Sequence, residues 1–422
     1  MMRYGKGLVD IEVPENSVLA IADLKNVSGV QDERAEVMRA LNNPIGHRGI
    51  SILAEKARKT VIVVDDNTRP TPVDRILPIL LDTLNEAGIE DRDIRVLIAL
   101  GTHRPMNDSE MRERVGKEAS ERVSVTNHHW KQKEMLVDLG STSSGVPLSV
   151  NKTFLEANVR IGVGHIAPHC QAGWTGGAKI VQPGVCGAET TDHTHWLSAS
   201  FDVRDLIGVA DNPVRLEIEN VVRKIGLDFI LNLVLNEKKE VVKAVAGDFV
   251  KAHREGVKEA KAVYFVDFPA KADIVVADAY PLSYGLDFWQ ASKAILSSYL
   301  GVKKGGTIIL LAPCPEGVST EHPELLKLRP KPYETLRNLV ETGAIEDLNA
   351  ASTAAQIGQV LRDEVKVVLY SEGISKLETE KLGFEYTESP QSSVDNAMKR
   401  HGSKSKILFL RNGCEILPIS QD

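Results

Sequence analysis

Cysteine is scarce. The four in this chain of 422 residues, at positions 170, 186, 314 and 414, form no CxxC pair. That spacing argues against a disulfide framework or a zinc knuckle and fits a reducing compartment. Long apolar runs are missing too: no stretch approaches the roughly 18 residues that span a bilayer, so no membrane partner is expected. The opening MMRYGKGLVDIEVPEN has no continuous apolar segment of the kind found in secretory leaders, and a cytoplasmic location is expected. A basic excess is absent as well. The 51 lysines and arginines face 58 acidic residues, for a net charge of −7, which speaks against a nucleic-acid partner but leaves room for a small anion in a local pocket. Internal repeats and low-complexity segments are also lacking.

What is present is an alternation of short β-branched runs with longer helical stretches, the pattern of an α/β protein with mainly parallel sheets. The segment 60–66 (TVIVVDD) predicts a buried strand, 71–89 a helix ending at a glycine, 93–103 a second strand, and 158–167 a further one. The pattern restarts near 268–281: strand 272–278, helix 287–300, strand 306–312, helices within 330–362, strand 365–371. Two α/β domains follow, 1–268 and 269–404, with a site in the cleft between them. Asn412-Gly413, flanked by apolar runs, predicts a hairpin over 405–422 packed on the first domain.

Several segments carry chemistry. In DDNTRP (65–70), directly after a strand, Arg69 offers a planar fork for a carboxylate or phosphate, and Thr68 adds a hydroxyl. The plainer alternative is that Asp66 caps the next helix and pairs with Arg69. GTHRP (101–105) also follows a strand and, if the two strands are neighbours, would bring His103, a residue suited to acid/base work, close to the first motif. Four of the eleven histidines fall at 165, 169, 193 and 195. In DHTH, His193 and His195 would share one side of an extended segment, or lie in a solvated loop. GVGHIA (162–167) meets a loose dinucleotide fingerprint, but Pro168 denies the helix that should follow. GWTGGAKI (173–180) departs from the ATP-type loop at Ala178 and Ile180. A lysine among small residues, Lys179, instead suits a desolvated nucleophile that forms a covalent adduct. Gln290 and Lys293 share one helical face and would reach across a cleft, unless that face is simply exposed with Trp289 buried beneath it.

Taken together, DDNTRP, GTHRP, PHCQAGWTGGAK, a histidine sixteen positions beyond that lysine, and WQASK resemble the nickel-dependent lactate racemase family, in order and in spacing. The likeness runs from YGKGLVDIEVP to the Gln290/Lys293 helix, about two thirds of the chain. It implies a racemase or epimerase inverting C2 of a 2-hydroxy acid, through hydride removal to a 2-keto acid and its return on the other face. The implied cofactor is a nickel-pincer nucleotide, a pyridinium mononucleotide with thio-acid arms, so cofactor-assembly enzymes are implied partners. On this resemblance Lys179 carries the cofactor covalently and His195 ligates nickel. His103 and His169 are the acid/base pair, and Arg69 holds the substrate carboxylate. Asp66, Thr68, Gly176 and Gly177 approach the cofactor, while Trp289, Gln290 and Lys293 close over the substrate from the second domain.

The chain departs from the lactate enzymes in one respect. They carry a further tryptophan in the second domain, where this sequence reads DLNAASTAAQIGQ (347–359). The missing aromatic wall suggests a substrate larger or more polar than lactate. Two rival readings stand beside this one: an NAD(P)-dependent hydroxyacid oxidoreductase built on GVGHIA, and a non-catalytic hydroxyacid-binding protein. No role is assigned to His165 or His193.

Overall fold

The run TVIVVD is apolar at every position but its ends, and it becomes the strand Thr60–Asp65, buried along its whole length. A strand buried on both faces belongs in the middle of a parallel sheet covered by helices. It lies there in a computed structural model that describes residues 1–421. The first sheet has six strands in the order Val241–Gly247, Phe229–Leu235, Val159–His165, Thr60–Asp65, Ile94–Ala99 and Ser124–Asn127. All neighbours are parallel except the first pair. The helix Val73–Glu86 covers one face with Val73, Ile76, Leu77, Leu80, Leu81 and Leu84, the spacing of one apolar stripe.

The second sheet is parallel throughout: Glu385–Tyr386, Lys366–Tyr370, Val302–Leu311, Ala272–Asp278, Ile407–Leu410 and Val18–Ala22. Its last two strands come from opposite ends of the chain. The hairpin expected around Asn412-Gly413 therefore does not form. Ile407–Leu410 inserts between Ala272–Asp278 and Val18–Ala22, and Leu417–Ser420 instead pairs in parallel with Phe265–Phe268. The Asn-Gly pair is spent on a different turn. Asn412 has a positive φ of 55°, its side-chain amide donates to Asp23 Oδ1 at 2.6 Å, and the Gly413 amide donates to the Asp278 carbonyl at 3.1 Å. Partners outside the local segment took the groups that a hairpin would have used.

GVGHIA makes no strand-to-helix turn, in keeping with Pro168: both of its glycines lie inside the strand Val159–His165. A Cβ on Gly162 would fall 2.5 Å from Ile180 Cγ2, so that glycine makes room for the segment carrying Lys179. DHTH is neither extended nor a loop. It sits in the helix Ala188–Ala199, where residues two apart point in opposed directions. His193 is exposed and His195 faces inward, so they form no joint site. No helix among the described residues is long and apolar enough to cross a membrane.

In the first sheet the chain leaves Thr60–Asp65 toward Ile94–Ala99 on one side and reaches Val159–His165 on the other. Ligand crevices in open α/β sheets lie outside the carboxyl ends of strands at such a reversal. Asp65, Asp66 and His165 mark that point here.

Candidate active site

Ten of the twelve residues singled out from the sequence line one cavity at this crevice: Asp66, Arg69, His103, His169, Gly176, Lys179, His195, Trp289, Gln290 and Lys293. Thr68 and Gly177 do not. The Thr68 hydroxyl donates to Asp66 Oδ1 at 2.5 Å, and the residue faces an adjoining pocket. The Gly177 amide donates to Asn232 Oδ1 at 2.7 Å, so it is not free for a phosphate.

The strand pairing sets the first part of the site. Asp65 lies opposite Ala99 in register, which brings the two following loops together. His103 Nδ1 donates to Asp66 Oδ2 at 2.6 Å, and its Nε2 accepts from the Gln290 amide at 2.9 Å. Burial works against an ionised Asp66, yet the charge and hydrogen bond of His103, with Arg69 and Thr68, hold its carboxyl well below the usual carboxylate range. Burial pushes His103 below the ordinary histidine value, against the pull of Asp66. The result is a neutral imidazole whose proton is fixed on Nδ1 and whose basic Nε2 lone pair points at Gln290, at the cavity.

His169 carries the other tautomer. Its Nδ1 accepts from the amides of Gln171 and Ala172, both at 3.2 Å, so the proton of the neutral ring is on Nε2. Burial, reinforced by Lys179 and Lys293, holds it well below the ordinary value. One cavity thus presents one histidine as acceptor and one as donor.

Lys179 sits on a short turn of helix, Gly177–Ile180, that ends a loop pinned from three directions. Buried Arg215 donates to the carbonyls of Ala172 and Gly176 at 3.2 and 3.1 Å and also to that of Trp174. His253 Nε2 donates to the Thr175 carbonyl at 2.9 Å, and Asn232 takes the Gly177 amide. Gly177 has a φ of 58°, and a Cβ there would stand 2.9 Å from the His253 ring and the Phe249 carbonyl. Gly177→Ala is accordingly expected to cost about 1–3 kcal/mol through strain, read as a lower Tm in thermal unfolding.

Among the described residues, Lys179 Nζ has no hydrogen-bond or ion-pair partner. Burial first, then Arg69, Lys293 and Arg215, push its pKa well below that of a free lysine. A buried, unpaired, neutral amine is a nucleophile. His195 Nδ1 donates to the Thr191 carbonyl at 2.9 Å, which leaves Nε2 as the lone pair; burial and then Lys179 lower its pKa to about 3. A ring nitrogen oriented by a bond on its other nitrogen is the usual form of a metal-binding histidine. Among the described residues no three His, Cys, Asp or Glu side chains cluster as a metal site. A metal held by His195 would therefore take its other donors from a non-protein ligand.

Arg69 is placed by its neighbours. Its Nη1 donates to Thr68 Oγ1 at 2.8 Å and to Gln290 Oε1 at 3.4 Å, and the guanidinium lies 5.4 Å over the Tyr284 ring. Lys293 donates to the same Gln290 oxygen at 2.5 Å and lies 4.7 Å over the same ring. Burial first, then Arg69, lower Lys293 to about 7. Arg69 and Lys293 concentrate positive charge where Asp66 is already committed to His103, so the cavity is suited to anions. Trp289 stacks on His322 at 4.2 Å. His322 bonds Thr102 Oγ1 at 3.0 Å and Asp347 Oδ2 at 2.9 Å, tying the second sheet's elements to the His103 loop.

Several site residues were not singled out from the sequence. Asp65, buried, accepts from Thr71 at 2.6 Å and pairs with Arg114. His165, left without a role above, donates from Nδ1 to Thr71 Oγ1 at 2.8 Å and from Nε2 to Glu415 Oε1 at 3.2 Å. Burial works against its charge, but bonds to Asp65 and Glu415 prevail and raise its pKa. Glu415 also accepts from Tyr284 at 3.0 Å. Adjacent carboxylates in DDNTRP hinted at Asp65; nothing local pointed to Glu415.

Known proteins share this arrangement of chain and sheets. Residues 4–204 match the model of the lactate racemase N-terminal domain, and residues 268–417 that of the lactate racemase C-terminal domain. The chain is 28% identical to a lactate racemase of Thermoanaerobacterium thermosaccharolyticum, over 98% of this chain and 97% of the relative. It is 27% identical to a lactate racemase of Lactiplantibacillus plantarum, over 97% and 99%. The structure of the lactate racemase apoprotein from T. thermosaccharolyticum superposes with a TM-score of 0.86 at 26% identity, covering 99% of both chains. A Thermotoga maritima protein shares the fold, with a TM-score of 0.73 at 23% identity over 88% of this chain and 96% of its own. With both domain models matched in order and relatives aligned from end to end, the chain belongs to the lactate racemase family.

Proposed function

We propose that this chain is a 2-hydroxy acid racemase or epimerase working with a lysine-tethered nickel-pincer nucleotide. The observation that carries the reading is the pair of histidines held in opposite tautomers in one cationic cavity, beside an unpartnered buried lysine. Lys179 would form the covalent link and His195 Nε2 would supply the protein ligand to nickel. When bound, the nucleotide supplies an electron-poor pyridinium ring that accepts hydride and returns it. Arg69 holds the substrate carboxylate, and Gln290 with Lys293 positions the oxygen at C2. His103 Nε2 takes the hydroxyl proton as hydride leaves C2, and Asp66 stabilises the imidazolium that forms. A planar 2-keto acid results. His169 meets the oxygen on the other face, and its long amide contacts orient the ring without locking it against a change of proton. His169 would give its Nε2 proton to that oxygen, so that the hydroxyl re-forms with the centre inverted, and the two histidines exchange roles for the opposite enantiomer.

The test is inversion itself. Protein co-expressed with the cofactor-assembly enzymes is given single enantiomers of 2-hydroxy acids, and the product is resolved by chiral chromatography. Formation of the opposite enantiomer from at least one acid is the expected result; strict retention across the series, in protein carrying both nickel and the adduct, defeats the reading. The pH profile of kcat/KM follows from two groups. His103, depressed below the ordinary 6.5, becomes a free base as pH rises through its own pKa. Lys293, lowered to about 7, is charged below that pH and loses its proton above it. The rate is expected to rise through the acid limb, pass a maximum below pH 7, and fall on the alkaline side as Lys293 loses its proton. Lys293→Gln is expected to remove the alkaline limb.

A further inference from the structure

One wall of the cavity belongs to the helix Leu348–Arg362, LNAASTAAQIGQVLR, which has no aromatic residue and lines the cavity with Thr353 and Gln356. Thr353, only 8% exposed, lines the cavity, and its hydroxyl has no hydrogen-bond partner among the described residues. Gln171, 7% exposed, stands beside it on the first unit. Its amide nitrogen donates to Ser352 Oγ at 3.2 Å and to Gln356 Oε1 at 3.5 Å, which fixes the amide with its carbonyl oxygen left over. Among the described residues that oxygen accepts no hydrogen bond, and Gln171 lines the cavity. Buried polar groups in folded proteins have partners, so an acceptor and a hydroxyl left unpaired in a cavity wall mark what a ligand would supply.

We infer that Gln171 Oε1 and Thr353 Oγ1 form a subsite for hydroxyl groups carried beyond C2, so that the substrate is a polyhydroxylated 2-hydroxy acid of the sugar-acid class. This rests on the racemase reading of the same cavity. A methyl group at C3, as in lactate, leaves both atoms unpaired and dry, which is costly. A second carboxylate sets anionic oxygen against the Gln171 carbonyl, which repels it. A hydroxyl donates to Gln171 Oε1 and exchanges a hydrogen bond with Thr353.

Calorimetric titration of the cofactor-loaded enzyme with erythronate (a four-carbon acid hydroxylated at each carbon beyond the carboxylate), lactate and malate tests the subsite. Erythronate is expected to bind roughly tenfold or more tightly than lactate or malate. Thr353→Val, which keeps the shape and removes the hydroxyl, is expected to shrink that ratio to about twofold, while Thr353→Ser retains it. Lactate or malate binding as tightly as erythronate, or an unchanged ratio in Thr353→Val, overturns the subsite. Chiral analysis of the same samples separates the two ideas. Preference for erythronate without inversion of any acid keeps the subsite and defeats the racemase reading. Inversion of lactate without that preference does the reverse.

Discussion

Lys179→Ala, expressed with the cofactor-assembly enzymes, is expected to yield a chain of unmodified mass, without bound nickel and without racemase activity. The wild-type chain prepared in parallel gains an adduct of a few hundred daltons. Any buried lysine carries a desolvation penalty that favours the neutral amine, and here Arg69, Lys293 and Arg215 add to it. No carboxylate offsets the loss: the amine has no partner among the described residues. Such a group is costly to keep unless it becomes something else. Lys179→Arg separates charge from nucleophilicity, because a guanidinium stays protonated and forms no adduct; it is expected to fail as completely as alanine. Removing the lysine should also raise the Tm of the cofactor-free protein, since an unpaired buried amine leaves the cavity. Intact-mass spectrometry decides the matter. An adduct that persists in Lys179→Ala places the tether elsewhere, with Lys293 the other depressed amine in the cavity.

The second large effect belongs to the Asp66–His103 pair. His103→Ala is expected to keep the adduct and the metal while losing about 10²–10⁴-fold in turnover, the range for a positioned acid/base group. Asp66→Asn is the sharper test. An amide in place of the carboxylate presents N–H to Nδ1 and drives the imidazole proton to Nε2, the wrong side for a base. With the proton on Nε2 the Gln290 amide also loses its acceptor, while Arg69 remains to hold the substrate, so the loss is expected in kcat with KM little changed. Asp66→Asn should also depart from the wild-type acid limb, since the carboxylate favours the charged ring. Turnover at the wild-type rate in either variant removes His103 from the chemistry.

Much of this architecture was legible in the sequence because it is local. Runs such as TVIVVD and ADIVVAD announce buried strands, and polar loops directly after them locate a ligand edge. The motif residues then converge because Thr60–Asp65 and Ile94–Ala99 are neighbours in register. What stayed hidden is non-local. His165 finds its partner 250 residues away in Glu415, a distance over which no periodicity speaks. Asn412-Gly413 carries the same turn preference in a hairpin and in the turn it adopts, and the choice was made by Asp23 and Asp278. DHTH was misread for a related reason: its spacing suits an extended pair, but the surrounding sequence continues a helix. Gly176 and Gly177 look alike in a glycine-rich loop, yet one borders the cavity and the other spends its amide on Asn232.

The crossed ends of the chain have a consequence for its synthesis. In the second sheet, among the described residues, Val18–Ala22 pairs only with Ile407–Leu410. A strand made among the first residues thus waits, with its edge unpaired, for one made among the last. The first sheet can assemble while translation continues, because its six strands are complete by Gly247. The second cannot close, and Glu415 cannot reach His165, until Ile407–Leu410 and Glu415 have been made. A chain cut short before Ile407 keeps every motif residue yet lacks both that strand and the Glu415 partner of His165.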